Sequence, residues 1–171
     1  VAEALPLRVE PELGIEVVQV LGGVSQLSTA YSGDEVCRRI AKSFSAPCHL
    51  LYAPAIADKP ESRRIIMSQA GVRQTTQYYD RLTVVLVGLG LVELTEDNME
   101  YRLGYFTEAE FRRLTSEGAV GDHCVFFDID GKVCGERINA KRIGIDHRQL
   151  MKVARRITVA AGQWKTKAII G

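Results

Sequence analysis

The chain has 171 residues, of which 46% are hydrophobic and 25% are charged, and its formal net charge is +1. Such a chain is long enough for one globular domain with a single core, and its near-neutral charge favours no strongly electrostatic partner for the whole molecule. No apolar run approaches the roughly 18 residues of a membrane span, so no membrane-spanning segment is predicted, and the first residues do not have the pattern of a signal peptide.

The first elements are a strand and an amphipathic helix. "GIEVVQVLGG" predicts a strand over residues 15–21 that ends at Gly22 and Gly23. Further on, "SGDE" predicts a helix start, because Ser32 and Glu35 have the spacing of a capping box, in which each side chain bonds the other residue's backbone amide.

A second strand, two helical segments and a third strand follow. "CHLLYAPA" predicts the second strand, which Pro54 stops, and "PESRRIIMSQAGVRQTTQYYDR" predicts one or two helices interrupted near Gly71. "LTVVLVGLG", residues 82–90, is apolar throughout, which predicts a strand buried on both faces, as in a parallel sheet.

The second half of the chain adds a short helix, a hairpin, a further helix and a last strand. Thr107 and Glu110 form a second capping box, and Gly118 ends the helix that it opens. Asp130–Gly131 predicts a hairpin turn, "DHRQLMKVAR" predicts a helix, and "RITVAAG" predicts the last strand. The alternation of strands and helices predicts an α/β domain with a mostly parallel sheet and one antiparallel hairpin.

Glycines mark the predicted ends of three strands, where ligands bind in open α/β sheets. They are Gly22–Gly23, Gly88 with Gly90, and Gly162, and Lys165 follows the last of them within one helical turn. Backbone amides at such ends, together with a lysine, favour an anion such as phosphate. The alternative is that the glycines only make tight turns and the lysine is an exposed helix residue.

Other chemistry has weaker signals. Asp122 and His123 could form an acid–base pair, although adjacent strand residues point to opposite faces. Arg63 is a candidate for a second phosphate and equally a candidate for an exposed helix arginine. No G-x-G-x-x-G or Walker A pattern is present, and the four cysteines lack C-x-x-C spacing. We therefore predict no cofactor, no metal and no catalytic residue.

The stretch "EGAVGDHCVFFDIDGKVCGERINAKRIGIDHRQLMKVARRITVAAGQWKTKAI" resembles the effector-binding domain of SorC/DeoR-type bacterial transcriptional regulators. The similar motifs are G-A-V-G-D at 118–122, F-D-x-D-G at 127–131, I-G-I-x-x-x-x-L at 143–150 and the family's V-A-G-G-x-x-K-A-x-A-I at 159–169. "GG" at 22–23, "APA" at 53–55 and "VGLG" at 87–90 occur in the family's order. Two departures are Ala161, where the family has glycine, and the absence of the family's closing strand.

This resemblance implies a Rossmann-like fold related to sugar-phosphate isomerases, with a phosphorylated sugar as effector. It implies the following binding residues: Gly22, Gly23, Val24, Ser25, Gly88, Gly90, Asp122, Gly162 and Lys165. We expect residues 1–171 to be the effector-binding domain of a longer protein, with a helix-turn-helix domain upstream and a terminal strand downstream.

The same resemblance implies partners and a location. DNA would be bound through the upstream domain, the chain would form a homo-oligomer (dimer or tetramer), and the protein would be cytoplasmic. Two alternatives remain open: a sugar-phosphate isomerase or deaminase with Asp122 or His123 as base, and an oligomerisation domain without ligand.

Overall fold

A computed structural model of the chain describes residues 14–24, 32–88, 90–92, 101, 103–153 and 158–160. Residues 158–160 are described by their backbone alone. Its α-helices are α1 (Gly33–Ser43), α2 (Pro60–Ser68), α3 (Ala70–Thr76), α4 (Glu108–Ser116), α5 (Glu136–Asn139) and α6 (His147–Val153), with a 3₁₀ helix at Tyr79–Arg81. Its strands are β1 (Val17–Val18), β2 (Cys48–His49), β3 (Leu86–Gly88), β4 (Gly90–Leu91), β5 (Ala119–Asp122), β6 (Phe126–Asp128) and β7 (Thr158–Ala160).

The described strands form small sheets. β1 pairs with β2 in parallel, β3 pairs with β7 in parallel, and β4, β5 and β6 form an antiparallel sheet. The predicted mixture of α and β elements is confirmed. The single, mostly parallel sheet is not seen, because the chain leaves the β3–β7 pair after Gly88 and its next strand pairs with β5 instead.

The third predicted strand differs from its prediction most clearly. Val85 is buried, but Val84 and Leu86 on either side of it are 52% and 43% exposed, so the prediction of burial on both faces is wrong. The side chains alternate as in a strand with one buried face. An uninterrupted apolar run therefore did not mean an interior strand here.

The two predicted capping boxes have different outcomes. Thr107 and Glu110 form both reciprocal hydrogen bonds at the start of α4, as predicted. At α1, Ser32 is the N-cap residue as predicted, but its side chain makes no capping hydrogen bond. Glu35 instead pairs with Arg39 one turn later, at 2.8 Å, because this exposed i,i+4 arrangement satisfies its carboxylate.

The turn at Asp130–Gly131 is present, with Gly131 in the left-handed region at φ 78°. The backbone of Asp128 bonds that of Lys132 across the turn at 2.9 Å. The returning arm bridges back to β6 at Val133 and bonds it again from Cys134 N to the Phe126 carbonyl at 3.0 Å. It is shorter than predicted, because Glu136–Asn139 forms α5 where the extended run was expected to continue. The main partner of β6 is β5, joined to it through residues 123–125.

The helical segments pack against the sheets through three apolar clusters. Phe106, Leu114 and Phe126 belong to one cluster, Tyr79 and Leu150 belong to the second, and the third surrounds a fully buried Ile143. Each such side chain contributes about 1.5–3 kcal/mol of burial free energy. The helix break predicted near Gly71 lies at Gln69, which is extended between α2 and α3. No helix among the described residues has the length and hydrophobicity to cross a bilayer.

Candidate functional site

The ends of β1 and β2 are joined by one chain segment. Residues 141–145 run between them: Gly22 N donates to the Ile143 carbonyl at 3.0 Å, and Ile143 N donates to the Ala55 carbonyl at 2.8 Å. Gly23 N in turn donates to the Ala53 carbonyl at 2.8 Å. Gly22–Gly23 and the Ala53–Ala55 stretch therefore lie in one backbone hydrogen-bond network with the 141–145 segment.

The glycines at these ends serve different purposes. A Cβ at Gly22 would overlap the carbonyl group of Pro54, so this glycine is required by the close crossing of two backbones. At Gly23 and Gly88 no atom of the described residues lies nearer than 3.9 Å to the place of a Cβ. Gly22 therefore serves packing, whereas no described residue sets such a steric requirement at Gly23 or Gly88.

Asp122 lies against Gly90 at the end of β5. The two residues are opposite each other in the β4–β5 ladder, and a Cβ at position 90 would overlap Asp122 Oδ1. The other carboxylate oxygen, Oδ2, accepts a hydrogen bond from Arg142 Nη2 at 2.9 Å. Gly90 thus makes room for the carboxylate, while Arg142 fixes its direction.

Arg142 connects this carboxylate to the strand-end network. Its side chain is only 8% exposed, its guanidinium lies 4.5 Å from the centre of the Phe126 ring, and its backbone bridges Ile56. The sequence reasoning did not identify this residue. The available signal was an arginine directly before the apolar run Ile143–Gly144–Ile145, a place where a charge is buried only if it is paired.

His123 takes no part in the pairing of Asp122. Its ring stacks on Phe127 with centroids 4.9 Å apart, while Asp122 is turned to Arg142. Burial lowers the pKa of His123 below its usual range, so the imidazole is neutral near pH 7. The arrangement agrees with the expectation that neighbouring strand residues point apart, and it offers no acid–base pair between these two side chains.

Arg63 is neither an exposed arginine nor a contact of the strand ends. Its Nε donates to the carbonyl of Arg142 at 2.6 Å, which holds α2 against the 141–145 segment. It lines a small cleft with mostly apolar walls, which does not include Asp122 or the strand-end glycines.

A larger groove lies elsewhere and is mostly apolar. It has a volume of about 600 Å³ and is bounded by β1, by α1 residues such as Val36 and Phe44, and by residues 78–86. A sugar phosphate requires several polar groups, which are a minority among these walls, whereas Asp122 and Arg142 lie together at the end of β5. We therefore place the candidate site at the strand ends, although the apolar groove is larger.

Three predicted site residues lie outside the described residues: Ser25, Gly162 and Lys165. Val24 is described and half-buried, directly after the paired Gly23. The register of β3 with β7 places Gly88 opposite Ala160, the last described residue of β7. Among the described residues no group of three histidine, cysteine or acidic side chains is placed to hold a metal ion.

Comparison with known proteins gives a consistent result. A family model described as "Putative sugar-binding domain" matches residues 1–171. The deoxyribonucleoside regulator of Bacillus subtilis is 31% identical over 159 residues, which are 92% of this chain and 50% of that protein. The sorbitol operon regulator of Klebsiella pneumoniae is 30% identical over 171 residues, which are 99% of this chain and 53% of that protein.

Solved structures show the same relationship. The full-length sorbitol operon regulator SorC from Klebsiella pneumoniae matches with a TM-score of 0.81 at 28% identity, over 92% of this chain and 51% of that one. The chain therefore spans about half the length of the relatives it matches.

Proposed function

This chain belongs to the family described as "Putative sugar-binding domain", and from that premise we propose that it is the ligand-sensing domain of a transcriptional regulator whose effector is a phosphorylated sugar. The relatives named as regulators of a sorbitol operon and of deoxyribonucleosides support this assignment. The parallel pairs β1–β2 and β3–β7 support a Rossmann-like arrangement of the strands that carry the site.

One observation carries the proposal: the Asp122 carboxylate is held between Gly90 and a buried Arg142, within the same network as Gly22 and Gly23. A carboxylate fixed in this way is a preorganised acceptor for sugar hydroxyls. Because Arg142 neutralises its charge, Asp122 repels a nearby phosphate less than an isolated carboxylate would. The phosphate itself we assign to Lys165 and to the backbone at Gly162 and Gly88.

The partners follow from the same proposal. We propose that DNA is bound by another part of the full regulator, that the regulator is a cytoplasmic homo-oligomer, and that the effector changes how its subunits meet. No catalysis is assigned, because Asp122 is engaged by Arg142 and His123 is stacked away from it. A proton-transfer enzyme needs a base beside the substrate carbon, and this arrangement provides none.

Thermal unfolding with a panel of free sugars, sugar monophosphates and sugar bisphosphates tests the proposal. A ligand at about 100 times its Kd stabilises the chain by about 2.7 kcal/mol. We expect one phosphorylated sugar to raise the midpoint and Asp122→Asn to abolish the rise. Asp130→Asn is the matched control, because Asp130 is exposed at the hairpin turn and its carboxylate pairs, among the described residues, only with the exposed Lys132, at 3.8 Å.

The alternatives predict different results in the same experiment. Consumption of the bound sugar phosphate, followed by phosphorus and proton NMR, would replace the sensor with an enzyme. No shift with any sugar phosphate would favour a domain that only assembles.

A further inference from the structure

An exposed aromatic side chain follows β2, next to the strand-end glycines. Tyr52 is 79% exposed, whereas Leu51, directly before it, is 3% exposed and belongs to the apolar cluster that contains Ile143. Single exposed apolar residues are common on protein surfaces, so exposure alone indicates no function. What distinguishes Tyr52 is its place, because the residues on both sides of it belong to the strand-end hydrogen-bond network.

The backbone around Tyr52 is held by three hydrogen bonds. Leu51 N donates to the side-chain oxygen of Gln19 at 3.1 Å, and Ala53 N donates to the Leu51 carbonyl at 2.8 Å. The second of these bonds closes a γ-turn with Tyr52 at its centre, a turn that is common at strand ends. Gly23 N then donates to the Ala53 carbonyl at 2.8 Å, which ties the turn to the strand-end glycines.

Gln19 supports this turn from inside the protein. It is 4% exposed, and its Nε2 donates to the Leu21 carbonyl at 2.8 Å. Its own carbonyl accepts a hydrogen bond from the buried Tyr79 hydroxyl at 3.0 Å. The glutamine therefore fixes the segment after β1 and the segment after β2 to each other. An aromatic ring carried on such a backbone is preorganised, because little backbone freedom remains to be lost when a ligand binds.

The same network leads from Tyr52 to the Asp122 carboxylate. The carbonyl of Ala55 accepts a hydrogen bond from Ile143 N at 2.8 Å, and Arg142, the residue before Ile143, bonds Asp122 at 2.9 Å. The segment that carries the exposed ring is thus bonded directly to the segment that fixes the carboxylate.

These two side chains suit the two kinds of surface that a sugar presents. The rim of a closed sugar ring carries hydroxyl groups, which donate hydrogen bonds to a carboxylate such as Asp122. The faces of the ring carry C–H groups and are apolar. Binding sites for small molecules combine a few polar groups that fix orientation with apolar and aromatic surface. Tyr52 offers the aromatic surface that complements the polar pair of Asp122 and Arg142.

We propose that Tyr52 is a specificity-determining residue of the effector site and that its ring stacks on the C–H face of a closed-ring sugar phosphate. This inference rests on the proposed function and names its ligand class. A furanose or pyranose phosphate has the flat face that stacking needs, whereas an open-chain polyol phosphate has none. Tyrosine suits this role because it buries a large apolar area while only two side-chain torsion angles become fixed.

Titration calorimetry tests the stacking through a set of variants. The probes are ribose-5-phosphate, fructose-6-phosphate and glucose-6-phosphate, with glucitol-6-phosphate as the open-chain form of the last. We expect Tyr52→Ala to lower affinity for the closed-ring ligand about tenfold, as for other buried aromatic contacts. Tyr52→Phe keeps the ring and should stay within about twofold of the wild type.

Ile129→Ala is the matched control and should bind like the wild type. Ile129 is 83% exposed, and it follows Asp128, which lies opposite Ala119 at the end of the β5–β6 pair away from Asp122. The melting midpoint without ligand controls for folding. Because Tyr52 is largely exposed, Tyr52→Ala should change that midpoint by less than about 2 °C.

Proton NMR of the bound sugar gives a second, direct readout. Protons held over the face of an aromatic ring shift upfield, so the C–H protons of the sugar should do so with the wild type and with Tyr52→Phe. The shift should be lost with Tyr52→Ala. An upfield shift that persists in Tyr52→Ala would assign the stacking to another ring and would overturn the inference.

The remaining outcomes separate this inference from the proposed function. If the wild type binds a closed-ring probe and Tyr52→Ala binds it equally well, the role of Tyr52 is wrong and the sensor stands. A loss in Tyr52→Phe as large as in Tyr52→Ala would assign the effect to the hydroxyl group, and equal affinity for glucose-6-phosphate and glucitol-6-phosphate would show that the ring is not selected. If the wild type binds none of the probes, the proposed sugar-phosphate sensor fails, and the role of Tyr52 fails with it.

Discussion

Replacing Arg142 with methionine removes the guanidinium that holds the Asp122 carboxylate, while it keeps most of the side-chain volume. The two side chains are only 8% and 21% exposed, so the change leaves a largely buried carboxylate without its partner. Breaking such a pair from one side costs about 3–5 kcal/mol. Because Asp122 still reaches water, we place the loss at the lower end, about 3 kcal/mol.

Urea and thermal unfolding followed by circular dichroism measure this loss. For a chain of this size, about 3 kcal/mol corresponds to a fall of about 6–12 °C in the melting midpoint. The matched control is Lys152→Met, since Lys152 pairs with Asp80 at 3.4 Å and both side chains are more than 60% exposed. Such a surface pair is worth about 0–1 kcal/mol. Equal losses in the two variants would show that Arg142 and Asp122 form no buried pair.

Two further predictions concern glycine positions and pH. Gly22→Ala should destabilise the chain by about 1–3 kcal/mol in the same urea assay, because the new Cβ overlaps the Pro54 carbonyl. Gly88→Ala should change stability by less than about 0.5 kcal/mol, because no described atom lies within contact of the new Cβ. Burial raises the pKa of Glu110, but hydrogen bonds, first from Lys141, outweigh it and hold the pKa below 4.5. The stabilisation that ionised Glu110 contributes is therefore present above pH 4.5 and is lost as the pH falls through the lowered pKa. The difference in unfolding free energy between the wild type and Glu110→Gln should shrink over that pH range. A difference that stays constant down to about pH 2 would contradict this.

The order of the elements and several of their ends were predictable because local signals determine them. The Thr107–Glu110 capping box, the left-handed Gly118 after α4 and the Asp130–Gly131 turn depend on residues close together in the chain. Their bonds form whatever the rest of the fold does. The approximate positions of α1 to α4 and of α6 were predictable for the same reason, whereas α5 lies where an extended run was predicted.

The pairing of strands was not predictable, because it depends on residues far apart in the chain. Nothing local distinguishes an apolar run that is buried on both faces from one that has exposed residues such as Val84 and Leu86. Nor does the sequence show that Gly88 and Gly90 belong to strands in different sheets.

In the candidate site, too, the features set by local sequence were predictable and those set by distant contacts were not. Gly22, Gly23, Gly90 and Asp122 were predicted from the sequence. In the structure Gly22 bonds the 141–145 segment, and Arg142 of that segment bonds Asp122, which lies opposite Gly90. Arg142, which fixes Asp122, was missed, because its role depends on a contact between residues 20 apart that leaves no periodic pattern. The separate purposes of Gly22 and Gly88 also became visible only from what surrounds each one.

The central claim is that the strand ends bind the phosphate of a phosphorylated sugar, and one comparison tests it most directly. Two ligands are compared: the sugar phosphate that stabilises the chain and the same sugar without its phosphate. The affinity for each is measured in Lys165→Ala and in the control Lys167→Ala, which changes a lysine two residues further along. The account predicts that Lys165→Ala lowers affinity for the phosphorylated form alone and that Lys167→Ala changes neither. Equal affinities for the two forms of the sugar, or equal effects of the two lysine variants, would contradict it.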